Sequence, residues 1–125
     1  MTDNATMTIS ELAKAIITLA SEKNVMLVLA ESCTGGMIAA ALTDIAGSSA
    51  VLDRGLVTYS NQAKQDLLGV SDDILASHGA VSVETAIAMT SGALMKPSAA
   101  QLAASVTGIA GPGGGSQDKP VGLVH

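Results

Sequence analysis

A chain of 125 residues has room for one compact domain, residues 1–125, and not for two independent cores. Its formal net charge of -5 sets nucleic-acid binding aside, because such proteins need a basic stripe to meet the phosphates. Hydrophobic residues make up 48% of the chain, yet it has one tyrosine and no phenylalanine or tryptophan, so Ala, Val, Leu, Ile and Met must build the core with close helix-on-sheet packing.

Thr8-Ile9-Ser10-Glu11 fits a capping box, and Leu12, Ala15, Ile16 and Leu19 follow at helical spacing, which predicts a first helix over residues 9–23 ended by Asn24. The continuous apolar run "VMLVLA" (25–30) reads as a strand covered on both faces. "GGMIAAALTDIAG" (35–47) reads as a helix closed by Gly47. Residues 50–60, "AVLDRGLVTYS", alternate enough for a strand, and "NQAKQDLLGV" for a short helix. A further short helix is expected around Ser71 to His78, and Ser82 opens one that runs to about Met95. "QLAASVTGIAG" (101–111) is a third strand entering the loop "GPGGGSQDKP", and "VGLVH" starts a fourth. Strands alternating with helices give an α/β fold: a three-layer α/β/α sandwich with a mixed, mostly parallel sheet.

The apolar stretches are broken within about ten positions, against the roughly 20 apolar residues of a membrane span. The start "MTDNATMTIS" lacks a signal peptide's basic residues and apolar segment. Cys33 is the lone cysteine, and two distant histidines give no zinc pattern, so no metal or other cofactor is expected. A cytoplasmic location without a membrane partner follows as the default reading.

Chemistry is concentrated at three predicted strand ends. In "ESCTGG", Ser32 follows a buried-type strand and precedes a helix, at the carboxyl edge where open α/β sheets bind ligands. Gly35 and Gly36 let backbone approach a ligand, and free N–H groups there suit an anion or an oxyanion. The turn is similar to a G-x-S-x-G nucleophile elbow, but Ala30 and Thr34 occupy its glycine positions. The plainer reading is that Ser32 or Thr34 caps the helix. Cys33 is an alternative nucleophile or a small buried residue.

A serine hydroxyl needs a base, and histidine is scarce here, whereas a desolvated lysine can serve. Of the five lysines, Lys64 follows a strand end, in "TYSNQAK". Ser60 and Lys64 stand at i and i+4, either as a local pair or as a cap followed by a solvated lysine. Tyr59, the only aromatic residue, suits stacking on a ring or a core position with a wet hydroxyl. The glycine-rich segment from Gly108 to Ser116 is neither a Walker A sequence nor G-x-G-x-x-G, and reads as a phosphate cradle or as a flexible turn.

Taken in order, "LAESCTGG", "GLVTYSNQAK", "HGAVSVETA" and "SVTGIAGPGGGSQDKPVGLVH" resemble the C-terminal domain of the CinA family, also found alone as nicotinamide-nucleotide amidase. The resemblance implies an α/β/α domain that hydrolyses the carboxamide of nicotinamide mononucleotide to nicotinate mononucleotide and ammonia, within pyridine nucleotide recycling. By motif it assigns Ser32 as nucleophile, Lys64 as its base and Thr107 as an assisting residue. Substrate contacts are then expected from Glu31, Thr34, Gly35, Gly36, Tyr59, Gly108, Gly111, Gly113, Gly114 and Ser116, with Glu31 orienting Lys64 or binding the ribose. The partner implied is a small pyridine nucleotide. Family domains run longer, so the resemblance also implies a chain truncated at its C-terminus, with an open strand edge and a tendency to homo-oligomers. The alternative is a nucleotide-binding or competence-associated interaction module without turnover.

Overall fold

The computed structural model describes residues 6–125, so the first half of the polar start "MTDNATMTIS" lies outside it. Thr8 caps helix α1 (Ile9–Glu22), its hydroxyl accepting from the Glu11 amide, and Asn24 leaves the helix at a left-handed φ of 54°. Strand β1 (Leu27–Glu31) follows, then helix α2 (Met37–Thr43), a short 3-10 turn at Ser48–Ala50, and strand β2 (Leu52–Val57). Helices α3 (Asn61–Leu68), α4 (Asp72–His78) and α5 (Val83–Met95) come next, each capped by a serine: Ser60, Ser71 and Ser82. Strand β3 (Leu102–Val106) completes the sheet.

The order is β2-β1-β3, with both pairings parallel. The α/β class and the parallel sheet thus agree with the reading of the sequence. β1 is the central strand and all five of its residues are buried, which is why its sequence is apolar without alternation. Its period of two still decides which side chain meets which layer. Leu27 and Leu29 join Ala13, Ile17 and Ala20 of α1 and Leu42 of α2 in one cluster. Val28 and Ala30 face the other way, toward Leu68 of α3 and Met89 and Ala93 of α5.

A core without aromatic rings fills its volume by bringing backbones together. Gly92 of α5 shows this: a Cβ there would stand 1.8 Å from the Leu68 carbonyl oxygen, so only glycine allows the α3–α5 approach.

Several elements are shorter than the sequence suggests. Helix α2 occupies Met37–Thr43 within the expected 35–47, because Gly35 and Gly36 have φ of 60° and 103° and form the turn before it. Gly47, at φ 88°, begins the 3-10 turn and does not close the helix. β2 ends at Val57 and not at residue 60, since Ser60 is already the cap of α3. β3 ends at Val106, short of residue 111. The segment expected to begin a fourth strand forms one isolated antiparallel bridge, Val124 to Gly108. Hydrogen bonds between Thr107 and His125, in both directions, hold that return beside the end of β3.

Candidate active site

The site is built at the carboxyl ends of all three strands. After β1 the backbone is fixed from both sides: the Thr58 amide donates to the Glu31 carbonyl at 2.9 Å, and the Ser32 amide donates to the Val106 carbonyl at 2.9 Å. Within β1 the alternation puts Glu31 with Leu27 and Leu29, toward α2, and extending it by one residue puts Ser32 with Val28 and Ala30, toward α3. The turn then closes with the Gly35 amide on the Ser32 carbonyl and the Met37 amide on the Thr34 carbonyl, both at 3.0 Å. The amides of Cys33 and Thr34 donate to no protein acceptor among the described residues.

On the α3 side, Ser60 caps the helix by accepting from the Ala63 amide, which aims the next turn of α3 back at the strand ends. Lys64 lies in that turn and is 1% exposed. Its Nζ donates to Ser32 Oγ at 3.0 Å, to the Thr58 carbonyl at 2.9 Å and to the Tyr59 carbonyl at 3.2 Å. Ser32 Oγ in turn lies 3.4 Å from the Tyr59 carbonyl oxygen. Burial pushes the Lys64 pKa below its ordinary value, outweighing the neighbouring Cys33, which acts in the opposite direction. No carboxylate pairs with this amine among the described residues. Three neutral acceptors satisfy the ammonium geometrically without holding it charged as an anion would.

Glu31, 2% exposed, is the other buried charged side chain among the described residues. Its Oε1 accepts from the Thr34 hydroxyl at 2.6 Å and the Ile38 amide at 3.0 Å, and its Oε2 from the Ala39 amide at 3.0 Å. Burial alone would raise its pKa; the donors at Thr34, Ala39, Ile38 and Gly36 outweigh that and bring it below the ordinary glutamate value.

A cavity of about 180 Å³ opens over Ser32 and Lys64, lined also by Cys33, Tyr59, Ala80, Val81, Thr107, Gly108 and Ala110. Of the residues expected at the site, Ser32, Lys64, Thr107, Tyr59 and Gly108 therefore meet in one pocket. Thr107 is 1% exposed and its hydroxyl donates to the Ala80 carbonyl at 2.7 Å, tying the end of β3 to the segment before α5. Tyr59 is 68% exposed and stands at the rim.

Glu31, Thr34, Gly35 and Gly36 do not line this cavity; Thr34 lies instead along an apolar groove between α1 and α2. Nor do Gly111, Gly113, Gly114 or Ser116. Ser116 closes a local turn, accepting at its hydroxyl from the Lys119 amide at 3.0 Å. The pocket wall at Ala80 and Val81 was not singled out by residue, although "HGAVS" was among the motifs that carried the resemblance. Small apolar residues offer no chemical signal of their own. Among the described residues no helix is long and apolar enough to cross a membrane, and no group of three His, Cys, Asp or Glu could hold a metal.

Comparison with known proteins bears on this geometry. The model of the CinA C-terminal domain matches residues 9–125. The chain belongs to that family. A CinA-like protein of Geobacter sulfurreducens is 57% identical over 111 residues, which are 89% of this chain and 27% of that protein. The chain thus spans little more than a quarter of such longer CinA relatives. The nicotinamide-nucleotide amidohydrolase PncC of Escherichia coli K12 is 49% identical over 124 residues, 99% of this chain and 73% of that enzyme. Among solved structures, the competence/damage inducible protein CihA of Agrobacterium tumefaciens superimposes with a TM-score of 0.89 at 61% identity, over 93% of this chain and 70% of that one. The CinA domain fold described above is therefore shared with crystal structures.

Proposed function

We propose that this CinA domain is an amidohydrolase that releases ammonia from nicotinamide mononucleotide, with Ser32 as nucleophile and Lys64 as general base. The observation that carries the reading is the contact between a buried, carboxylate-free amine and a serine hydroxyl, 3.0 Å apart, at the floor of a pocket. The named activity of E. coli PncC, a relative along nearly the whole chain, supports the choice of substrate.

The chemistry follows from the contacts. A neutral Lys64 keeps two N–H bonds for the Thr58 and Tyr59 carbonyls and turns its lone pair to the Ser32 hydroxyl. As Ser32 Oγ bonds to the carboxamide carbon, its proton passes to Lys64, and the carbonyl oxygen takes the negative charge. The unclaimed amide of Cys33, a residue that lines the cavity, is the donor we assign to that oxygen, a type of contact worth roughly 3–4 kcal/mol per donor in the transition state. Protonated Lys64 then gives its proton to the departing nitrogen, the carbon–nitrogen bond breaks and ammonia leaves. Water, deprotonated by the same amine, attacks the acyl-serine ester, and nicotinate mononucleotide departs as Ser32 recovers its proton.

The cavity is smaller than the roughly 300–1,000 Å³ of pockets that enclose a drug-sized ligand. It suits the ring and its carboxamide, with Tyr59 at the rim for stacking and the ribose phosphate lying outward toward the glycine-rich loop. Gly111, Gly113, Gly114 and Ser116 remain the proposed contacts for the phosphate.

The test is ammonia release from nicotinamide mononucleotide by the wild-type chain and by Ser32→Ala. Activity in the first and none in the second is the expected pair. Ligand binding by calorimetry without ammonia from either protein would favour a module that binds nucleotide without turning it over.

A further inference from the structure

We infer that Glu31 is a positioning residue for the Ser32 turn, acting on the transition state through the backbone of residues 31–39 and not through substrate or Lys64. The inference rests on the amidohydrolase reading and adds a residue whose role that mechanism leaves open.

The geometry separates Glu31 from the roles expected of it. Its side chain leaves the sheet on the α2 side, whereas Lys64 and the cavity lie on the α3 side. Both carboxylate oxygens are occupied by the protein's own donors, and the side chain is 2% exposed, which leaves no oxygen for a ribose hydroxyl. Lys64 spends its donors on Ser32, Thr58 and Tyr59, so Glu31 does not orient it.

What the carboxylate holds is the loop between β1 and α2. One end of the loop is Glu31 itself, fixed by β2, and the other is the first turn of α2, whose Ile38 and Ala39 amides point at the carboxylate. The Thr34 hydroxyl ties the middle to the same oxygen that accepts from Ile38. Ser32, Cys33 and Thr34 are thus enclosed in a ring of hydrogen bonds centred on one buried anion. Gly35 and Gly36, at positive φ, supply no side chains to hold the turn. Without the carboxylate, the Thr34 side chain and the first turn of α2 lose their common anchor, and the serine oxygen and the Cys33 amide are held only by the backbone bonds of the turn. Misplacement of reacting groups by about 1 Å costs on the order of a hundredfold in rate.

Glu31→Gln tests this directly, because it keeps the shape while replacing one acceptor by an NH₂ that must face an amide donor. With nicotinamide mononucleotide as substrate, kcat should fall on the order of tenfold to a hundredfold. KM should stay within about twofold, since the substituted group touches no substrate. The pH at which kcat/KM rises should not move, because Lys64 is untouched. Thr34→Val, which withdraws one donor and keeps the carboxylate, should give a smaller loss of the same kind, and circular dichroism at the assay temperature shows that each variant is folded. Wild-type kcat in a folded Glu31→Gln protein would overturn the positioning role and leave the amidohydrolase reading standing. A raised KM or a displaced pH limb would overturn it in favour of substrate contact or action on Lys64. A wild-type chain that releases no ammonia would sink the amidohydrolase reading, and the positioning role with it.

Discussion

The two sides of the β1 carboxyl end solve the same problem in opposite ways. On the α2 side a buried carboxylate is surrounded by a hydroxyl and backbone amides, all of them donors. On the α3 side a buried amine faces two carbonyls and a hydroxyl, with no anion in reach among the described residues. Donors stabilise an anion that is already charged, so Glu31 is held ionised and acts as a fixed structural centre. Neutral acceptors suit an ammonium and an amine alike, so desolvation decides and Lys64 is moved toward its neutral form. One residue's step along β1, from Glu31 to Ser32, separates the rigid side from the reactive one.

The largest effect expected from breaking this contrast is at Lys64. Lys64→Ala should lower kcat by about 10⁴-fold, since it removes the amine that contacts Ser32 Oγ. Steady-state ammonia release on a folded protein checks it; activity within tenfold of wild type would mean that another group takes the proton.

Stability against pH sharpens the contrast, because the two groups carry slopes at opposite ends of the scale. The folded pKa of Glu31 lies below its unfolded value of about 4.3. Its contribution is therefore complete above that value and disappears as pH falls through the depressed folded pKa. Replacement by Gln should cost about 2–3 kcal/mol at neutral pH, the scale of hydrogen bonds to a charged group, and should flatten the acid side of a plot of Tm against pH. For Lys64 the folded pKa also lies below the unfolded value, about 10.4, so the unfolded chain again binds the extra proton, now toward the alkaline end. Stability should rise with pH between those two values, and Lys64→Met should lack that rise. Thermal melts of both variants beside wild type, from acid to alkaline pH, read the two slopes; an acid slope unchanged in Glu31→Gln, or an alkaline rise retained in Lys64→Met, would remove the distinction.

The smallest change concerns Thr58, whose carbonyl serves Lys64 while its own hydroxyl is fully buried without a partner among the described residues. Thr58→Val keeps the shape and the carbonyl. It should raise stability by about 1 kcal/mol and leave kcat unchanged, as measured by chemical denaturation and the ammonia assay. A loss of stability would mean that the hydroxyl has a partner in solution.

Much of this arrangement is legible in the sequence. The apolar run of β1 marks a central strand, the serines at positions 60, 71 and 82 mark helix starts, and the strand ends locate Ser32, Tyr59 and Thr107. The alternation of β1 even separates Glu31 from Ser32, once a strand of that length is accepted. The role of Glu31 was not legible, because a carboxylate beside a serine suggests substrate or base until its oxygens are seen to be occupied. The glycine-rich loop was harder still: composition shows that it bends, but not that Gly113 and Gly114 lie away from the lining of the pocket. Strand ends were overestimated for a related reason. Strand-compatible residues such as Thr58, Tyr59, Thr107 and Ile109 continue past Val57 and Val106, but a helix cap and a returning segment claim the backbone there.

The central claim, that a desolvated Lys64 activates Ser32, is tested most directly by kcat/KM for ammonia release from nicotinamide mononucleotide across pH, with Ser32→Ala as control. A rise with pH on one ionisation below the ordinary lysine range, a plateau above it, and no release by Ser32→Ala at any pH are expected. A rise centred near the ordinary lysine pKa, or ammonia from the Ser32→Ala protein, would contradict it.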